Sequence, residues 1–389
     1  MEYIKKALPD KLLKRGGIVL ALGILIQVIS FVVNPHRAFF DYLWIYMFLV
    51  SLGVGALGLT ALEYLVGATW STPFRRIFEI NATLIPVLVV LTIPLYFGMH
   101  DLFHWTHHEA VASDPILTSK SPYLNEQFFF IRVGVCFVIW LLFFFMITKN
   151  SESQDATGDP VYTKRNIRWS TVFAPLFMIT LTITAIDWMM SLEPHWFSTM
   201  FGVYYFAGTI VASFSLATFV GIKLYEGNYL HPQIKNTHFY SLGTLMFGFN
   251  VFWGYIAFSQ YLLIWYADLP EETFWLLDRW EGNWKFVSIG LLFIHFVIPF
   301  LVLVNRGAKT NLKTLKFMSV WMLAAHAYDL YWLIMPTYMK GAAAFGWSEL
   351  SFPLIVVGLM MVLFKVRSDK KNLVPVGDPK LKAGLEFHL

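Results

Sequence analysis

The sequence is poor in charge for its length. Only 14% of its 389 residues are charged, whereas a soluble domain carries about a quarter. Hydrophobic residues make up 57% of the chain, and the mean hydropathy is +0.58. This composition excludes an ordinary soluble enzyme and predicts a polytopic membrane protein. The formal net charge of +4 does not indicate nucleic-acid binding, because the basic residues follow the predicted loops.

Cysteine is almost absent, and this restricts the redox chemistry. The single cysteine, Cys136, lies within an apolar stretch. It excludes an intramolecular disulfide, a CxxCH haem attachment and a self-contained iron–sulfur cluster. A redox centre would therefore be a quinone, a haem held by histidines, or a group on another subunit. The sequence also lacks a P-loop, a nucleophile elbow and an HExxH motif.

Long apolar runs are what the sequence has in abundance. A helix needs about 20 apolar residues to cross ~30 Å of hydrocarbon. The first run, Gly16–Val33, has no small-residue cleavage site after it, so we expect it to stay as a helix and not to be removed as a signal peptide. The predicted spans are 16–33, 40–67, 77–99, 127–148, 169–192, 202–224, 237–267, 284–304, 314–336 and 348–367.

Lysine and arginine are concentrated in alternate loops and in both terminal segments. The positive-inside rule therefore predicts that both termini are cytoplasmic. We expect an all-α polytopic membrane protein with about ten transmembrane helices in two four-helix bundles plus two flanking helices. The predicted units are the N-terminus with the first helix (1–39), a first bundle (40–201), a second bundle (202–347), and the last helix with a mobile cytoplasmic tail (348–389).

A few ionisable residues lie within the apolar runs. Charge inside hydrocarbon costs several kcal/mol, so such residues are functional candidates by default. They are Glu63, Arg132, Asp187, His295, His326 and Asp329. His295 and His326 are each about ten residues into their spans, hence ~15 Å deep. Asp329 follows His326 by three residues and shares its helical face.

Three interpretations of His295, His326 and Asp329 remain open. The first is a proton relay, because histidine titrates near neutral pH. The second is a haem held by the two histidines, although a ligand histidine rarely needs an aspartate one turn away. The third is a buried hydrogen-bonded group that fixes helix packing.

The other buried residues fall near the ends of their spans. An ion pair between Arg132 and Asp187 would remove the cost of burying either charge alone. Glu193 and His195 follow Asp187 and extend a polar path towards the periplasm. Glu63 is a candidate for cytoplasmic proton uptake, with an interfacial ion pair to Arg75 or Arg76 as the alternative.

One segment outside the spans is rich in histidine. His100, His104 and His108 have i, i+4, i+8 spacing, so in a helix they would share a face that could bind zinc or copper. The alternative is a buffering or docking surface at a membrane exit. The aromatic residues of the same predicted periplasmic side fit an interfacial belt, a partner surface, or both.

Three motifs resemble one family. Ala185–Phe201, Phe258–Glu272 and His326–Pro336 are similar to signatures of the F subunit of bacterial alternative complex III, a quinol:cytochrome c oxidoreductase. That family belongs to the NrfD/polysulfide-reductase membrane-subunit superfamily. The resemblance covers essentially the whole chain. It implies ten helices with two four-helix bundles, in the inner membrane of a bacterium.

The resemblance also implies partners and residue roles. The complex passes electrons from quinol through iron–sulfur and c-type cytochrome subunits to cytochrome c, a small carrier or a terminal oxidase. The paralogous C subunit is the better-supported quinol site, and the F subunit has a proposed proton pathway. Motif positions matched here are Asp187, Glu193 and His195, then His326 and Asp329. Asp268, Glu271 and Glu272 are expected to face partner subunits.

These observations lead to one hypothesis with two alternatives. We expect a respiratory-chain membrane subunit without haem or covalent cofactor, which contributes a proton pathway or the architecture of a quinone site. The alternatives are a direct quinone-binding redox subunit and a standalone secondary transporter. The predicted route consists of Asp187, His295, His326 and Asp329, with Glu63 on the cytoplasmic side and Glu193 and His195 as the periplasmic exit.

Overall fold

The computed structural model describes residues 3–387. Within that range the chain is helical, and it forms no β-strand. Nine helical segments of this range are long and apolar enough to cross a membrane. A further helix, Leu312–Tyr338, has 27 residues and is therefore about 40 Å long. It is less apolar because it carries His326 and Asp329. The prediction of an all-α polytopic membrane protein is confirmed.

We number the ten long helices α1 to α10. They are α1 Asp10–Val33, α2 Pro35–Val66, α3 Thr72–Phe97, α4 Glu126–Thr157, α5 Val161–Trp188, α6 Phe201–Glu226, α7 Asn236–Ala267, α8 Trp284–Leu303, α9 Leu312–Tyr338 and α10 Ser351–Lys370.

Two of these helices are interrupted. Helix α3 consists of the segments Arg75–Asn81, Leu84–Leu91 and Ile93–Phe97 after a short 3₁₀ turn. The two later segments each carry a proline in their first turn, Pro86 and Pro94, where the missing N–H costs least. Helix α8 contains a π-helical stretch, which holds His295.

Helix α2 lies at the centre of the molecule. It packs against α5, α6 and α9, and 94% of its apolar core is buried. Small residues permit this closeness: a Cβ at Gly55 would lie 2.7 Å from Cγ2 of Thr209 on α6. Helices α3 to α5 pack on one side of α2 and α7 to α9 extend from α6, while α1 and α10 pair at the periphery.

The two ends of the bundle differ. The N- and C-terminal segments meet at one end, where the Lys5 ammonium donates to the Asp369 carbonyl at 2.7 Å. We call this the terminus end. The opposite end carries the connections 98–125, 189–200, 268–283 and 339–350, and we call it the loop end. Helix α2 runs from the loop end to the terminus end.

The C-terminal segment packs back onto the terminus end. Leu373 and Val374 are buried, and a short helix forms at Leu381–Leu385. We call residues 371–387 the tail strap. The prediction of a mobile tail is wrong for this range, because its apolar residues and Asp378 find buried partners. Sequence composition suggested a solvated tail, whereas the bundle supplies a surface that covers it.

Gly377 provides a test of this packing. A Cβ at Gly377 would lie 1.9 Å from the Gln154 carbonyl oxygen, so Gly377→Ala must displace the strap, at about 1–3 kcal/mol. We expect trypsin to cut at Lys380 and Lys382 about tenfold faster in this variant, since each 1.4 kcal/mol changes an opening equilibrium tenfold. The matched control is Gly134→Ala, where a Cβ meets no atom within 4 Å. Equal cleavage rates in the two variants would contradict the described strap.

Candidate functional site

Three of the predicted residues come together in the interior. His295 from α8 and His326 and Asp329 from α9 each offer a ligand atom, and these atoms all lie within 4.8 Å of one another. The three side chains are completely or almost completely buried. We call them the central triad. It is the one group of three or more such residues at metal-binding distance within residues 3–387.

The local sequence explains how His295 enters the triad. Pro299 stands four residues after His295 and has no N–H to donate to the His295 carbonyl. The helix widens to a π-helical stretch over Leu292–Val297 just before this proline, as helices often do at functional sites. The Trp253 ring of α7 stacks on the imidazole of His295, with ring centroids 3.7 Å apart.

Asp329 is held by two donors. The Tyr204 hydroxyl of α6 donates to its Oδ1 at 2.5 Å, and the Trp253 indole donates to its Oδ2 at 3.1 Å. The same two side chains therefore fix Asp329 and, through Trp253, the position of His295.

His326 has one bound and one unpartnered nitrogen. The Ser51 hydroxyl of α2 donates to the Phe48 carbonyl at 2.7 Å, so its oxygen is free to accept the Nε2–H of His326 at 3.0 Å. In a neutral imidazole this leaves Nδ1 as a basic nitrogen, and it has no hydrogen-bond partner among the described residues. Gly208 makes the room, because a Cβ there would lie 2.8 Å from Nδ1.

Unpartnered nitrogens are the main chemical feature of the triad. Both ring nitrogens of His295 lack a partner in the described part of the chain, as does Nδ1 of His326. Leaving a buried polar atom unsatisfied costs about 1–3 kcal/mol. Such an arrangement suits a site that binds a proton, an ion or a polar ligand. Two imidazoles and a carboxylate are also a donor set for a divalent transition metal.

Glu63 lies in a second cluster at the terminus end of α2. Arg75 contacts three carboxylates: Glu63 at 3.3 Å, Glu79 at 3.5 Å and Asp378 of the tail strap at 2.5 Å. Arg76 contacts Glu79 and, at 2.7 Å, Asp155. We call these six residues the terminus-end cluster.

The terminus-end cluster is buried and unbalanced in charge. The predicted ion pair between Glu63 and Arg75 is confirmed, but its interfacial position is not, because Arg75 is 1% and Arg76 0% exposed. Four carboxylates face two guanidinium groups, an excess of two acids. Asp378 of the strap joins the cluster through Arg75, and no local pattern indicates this contact between residues 303 positions apart.

Asp187 lies apart from the central triad, in an ion pair with Arg132. The guanidinium donates from Nε at 2.8 Å and from Nη2 at 3.0 Å, and Tyr123 donates a third hydrogen bond at 3.1 Å. The Arg132 guanidinium also lies 3.8 Å from the centre of the Tyr123 ring. The expected ion pair is therefore present, and both carboxylate oxygens of Asp187 accept hydrogen bonds. The structure does not join Asp187 to the triad as the predicted route required.

Glu193 and His195 also turn away from Asp187. His195 pairs with Asp114 at 2.5 Å, and this hydrogen bond lowers the pKa of the Asp114 carboxyl. Glu193 instead acts on Arg279, whose guanidinium is buried beneath the loop end. The two residues thus belong to separate loop contacts, and the role predicted for them as a continuous exit remains a prediction.

The three spaced histidines do not share a helical face. His100, His104 and His108 fall in three different short segments: Met99–Leu102, His104–Thr106 and His108–Ser113. The single helix that a shared face would require does not form, because the backbone is extended at Phe103 and His107. His100 instead contacts Thr106 at 3.0 Å and Glu126 at 3.6 Å.

Two buried charged groups are not predicted from the sequence. Arg279 donates to the carbonyls of Trp275, Trp332 and Leu333 at 2.8–3.2 Å and stacks on Trp275. Its burial lowers the pKa of the guanidinium to about 9, while Glu193 raises it. The second group is Asp41 with Glu349 and Arg37. Each lies at the edge of an apolar run, where sequence alone predicts exposure.

Comparison with known proteins adds no identification. No protein-family model matches this chain, and no curated protein matches it. The resemblance carried by the three motifs therefore remains a prediction, and the side-chain geometry carries the argument about function.

The Arg132–Asp187 pair generates a stability prediction. Arg132→Met leaves a buried carboxylate without its cation and should lower the free energy of unfolding by about 3–5 kcal/mol. The double variant Arg132→Met/Asp187→Leu should lose much less, because no unpaired charge remains. Cys136 is the only thiol and is 3% exposed, so thermal unfolding can be followed by its reaction with a thiol-specific dye. Equal losses in the single and double variants would show that the ion pair is not the structural element described.

Proposed function

We propose that this chain is an integral-membrane subunit of a quinol:electron-acceptor oxidoreductase complex and that it contributes a transmembrane proton pathway. The observation that carries the proposal is the unpartnered basic Nδ1 of buried His326 next to Asp329. A buried base beside a carboxylate is the arrangement that a proton-transfer step requires.

The proton step can be written on these atoms. Nδ1 of His326 accepts a proton, and the imidazolium that forms is stabilised by the Asp329 carboxylate within 4.8 Å. The proton can then pass on from Nδ1, or the Nε2 proton can leave through the Ser51 oxygen, which lies 3.0 Å away. Tyr204 and Trp253 keep Asp329 in place throughout.

Helix α2 supplies the connection to the terminus end. Ser51 precedes Glu63 by twelve residues, or about 18 Å of helix. Glu63 belongs to a cluster with more carboxylates than guanidinium groups, and in such a group a proton relieves the repulsion between acids. We propose the terminus-end cluster as the uptake point on the cytoplasmic side, as the placement of lysine and arginine predicts.

The remaining parts of the proposal rest on the motif resemblance. It supports partners of three kinds: c-type cytochrome, iron–sulfur and paralogous membrane subunits, with a terminal oxidase or small carrier receiving the electrons. Quinol oxidation itself is proposed for the paralogous subunit.

A second candidate function is a transition-metal site. It is favoured by the short distances between the triad's ligand atoms, which all lie within 4.8 Å of one another, and by the unpartnered nitrogens of His295. In this case His295, His326 and Asp329 would all be ligands. A bound quinone, with its carbonyl oxygens accepting from the histidines, is the other competing role for the same residues.

Neutral variants of the triad test the proton pathway. We expect His326→Gln and Asp329→Asn to reduce proton translocation about tenfold or more in the reconstituted complex, because each removes a proton-exchanging group. Translocation is measured as vesicle acidification during quinol oxidation, and subunit composition confirms assembly. The matched control is the double variant Arg132→Met/Asp187→Leu, which removes an equally buried aspartate outside the triad without leaving an unpaired charge. Unchanged translocation in an assembled Asp329→Asn complex would refute the pathway.

Metal binding and quinone binding at the triad are tested by a separate measurement. Elemental analysis of the purified complex is compared between the wild type and His295→Ala, and bound quinone is extracted from both. A metal at one equivalent that is lost in His295→Ala would replace the proton pathway by a metal site. Loss of one quinone equivalent would favour the quinone-binding role. Equal contents in the two proteins support the proton pathway.

A further inference from the structure

A third buried polar cluster lies at the loop end of α2, outside the residues of the proposed pathway. It consists of Arg37 and Asp41 on α2, Tyr331 on α9, and Glu349 in the 3₁₀ turn before α10. Asp41 and Glu349 are both 0% exposed. The residues come from three distant parts of the chain, so the cluster exists only in the folded protein.

Both carboxyl oxygens of Glu349 accept hydrogen bonds. Its Oε1 accepts from the Arg37 guanidinium. Its Oε2 accepts from the Gly346 N–H at 2.9 Å and from the Ser348 hydroxyl at 3.0 Å. Glu349 thus accepts from three donors, one of them charged, and charge-assisted hydrogen bonds are the stronger kind. Gly346 allows this approach, because a Cβ there would lie 3.1 Å from Nη2 of Arg37.

Asp41 is in the opposite situation. Neither of its oxygens has a hydrogen-bond partner among the described residues. The Ser348 hydroxyl lies beside Asp41 too, but its hydrogen bond goes to Glu349. The charged groups that face Asp41 are Arg37 on its own helix and Glu349 from the turn. Tyr331, whose hydroxyl is also unpartnered, faces the cluster from α9.

The neighbouring charges of Arg37 and Glu349 determine whether Asp41 carries a proton. Two carboxyl groups share one guanidinium, and Glu349 already engages it. An ionised Asp41 would be a buried anion with no donor, next to a second anion, which costs several kcal/mol. A proton on Asp41 removes that cost and supplies a donor. The buried, unpartnered carboxyl is therefore a proton-binding site.

We infer that Asp41 is a protonated carboxylic acid and that it exchanges protons at the loop end of α2, opposite the terminus-end cluster. This role in exchange rests on the proposed proton pathway. When Asp41 releases its proton to a water molecule at the loop end, the carboxylate left behind faces Arg37. When a proton arrives from the interior, the neutral acid is restored. Asp41 thus takes the terminal place predicted for Glu193 and His195.

An aromatic section separates Asp41 from the central triad. Asp41 and Ser51 are ten residues apart on α2, about 15 Å. Between them Trp44 stacks on Phe352 at 3.9 Å, and Phe48 lies 5.6 Å from the His326 ring. Proton exchange between the two sites therefore requires this section to open. In the arrangement described, it prevents direct passage of protons from one end to the other.

Infrared spectroscopy of the full-length protein tests the protonation state. The difference spectrum between wild type and Asp41→Asn at neutral pH should show the C=O stretch of a carboxylic acid, shifted in heavy water. In Glu349→Gln the same band should disappear, because Asp41 then ionises to pair with Arg37. Asp187→Asn, which alters an ion-paired aspartate, should retain it. A difference spectrum with carboxylate bands alone would overturn the inference.

Stability gives a second measurement that does not depend on transport. Because asparagine resembles a neutral acid, Asp41→Asn should unfold within about 1 °C of the wild type at neutral pH in the Cys136 thiol assay. A large loss of stability would show that Asp41 is an ionised partner of Arg37 and would contradict the inference.

The exchange role is tested separately from the protonation state. Asp41→Asn should lower proton translocation several-fold in the assembled complex, and Asp41→Glu should restore part of it. If translocation responds to Asp329→Asn but not to Asp41→Asn, the exchange role of Asp41 is wrong and the proposed pathway stands. If neither variant responds, the pathway itself fails.

Discussion

Helix α2 is enclosed by protein along nearly its whole length, and the ionisable groups in its buried part, Asp41 and Glu63, must be neutralised inside the fold. Water cannot solvate these groups, and lipid would solvate them even less. Asp41, Ser51 and Glu63 occupy the loop end, the middle and the terminus end of this single helix. Three polar clusters are arranged around these positions, and the groups that contact them directly come from α3, α9 and the turn before α10, all of which pack against α2.

The clusters neutralise charge in different ways. Asp187 and Arg132 form a closed pair in which both carboxylate oxygens accept hydrogen bonds, which suits a structural role. The terminus-end cluster and the Asp41 cluster both contain more acids than guanidinium groups, so both have a need for protons. The central triad has nitrogens without partners. The groups that can bind protons or ligands are therefore those whose charges or hydrogen bonds are incompletely paired.

Close helix packing makes these clusters possible. Gly208 gives His326 its place against α6, and Gly346 lets Arg37 reach Glu349. Gly377 brings the tail strap against the backbone of α4 so that Asp378 can reach Arg75. A methyl group at Gly208 would press on His326, one at Gly377 would press on the α4 backbone, and one at Gly346 would require Arg37 to shift. The small residues thus determine where charged groups lie as well as how closely the helices pack.

The sequence alone predicts the helical membrane fold, about ten long helices, and the shared helical face of His326 and Asp329. These follow from local properties: apolar run length and the rise of a helix. It also indicated the Arg132–Asp187 and Glu63–Arg75 pairs, because neighbouring spans bring them together. Three other features emerge from the folded chain: Asp187 is separate from the triad, Asp378 of the strap joins the Glu63 cluster, and Asp41 lies beside Glu349. These contacts join residues hundreds of positions apart, and no local pattern encodes which helix faces meet or how their charges balance.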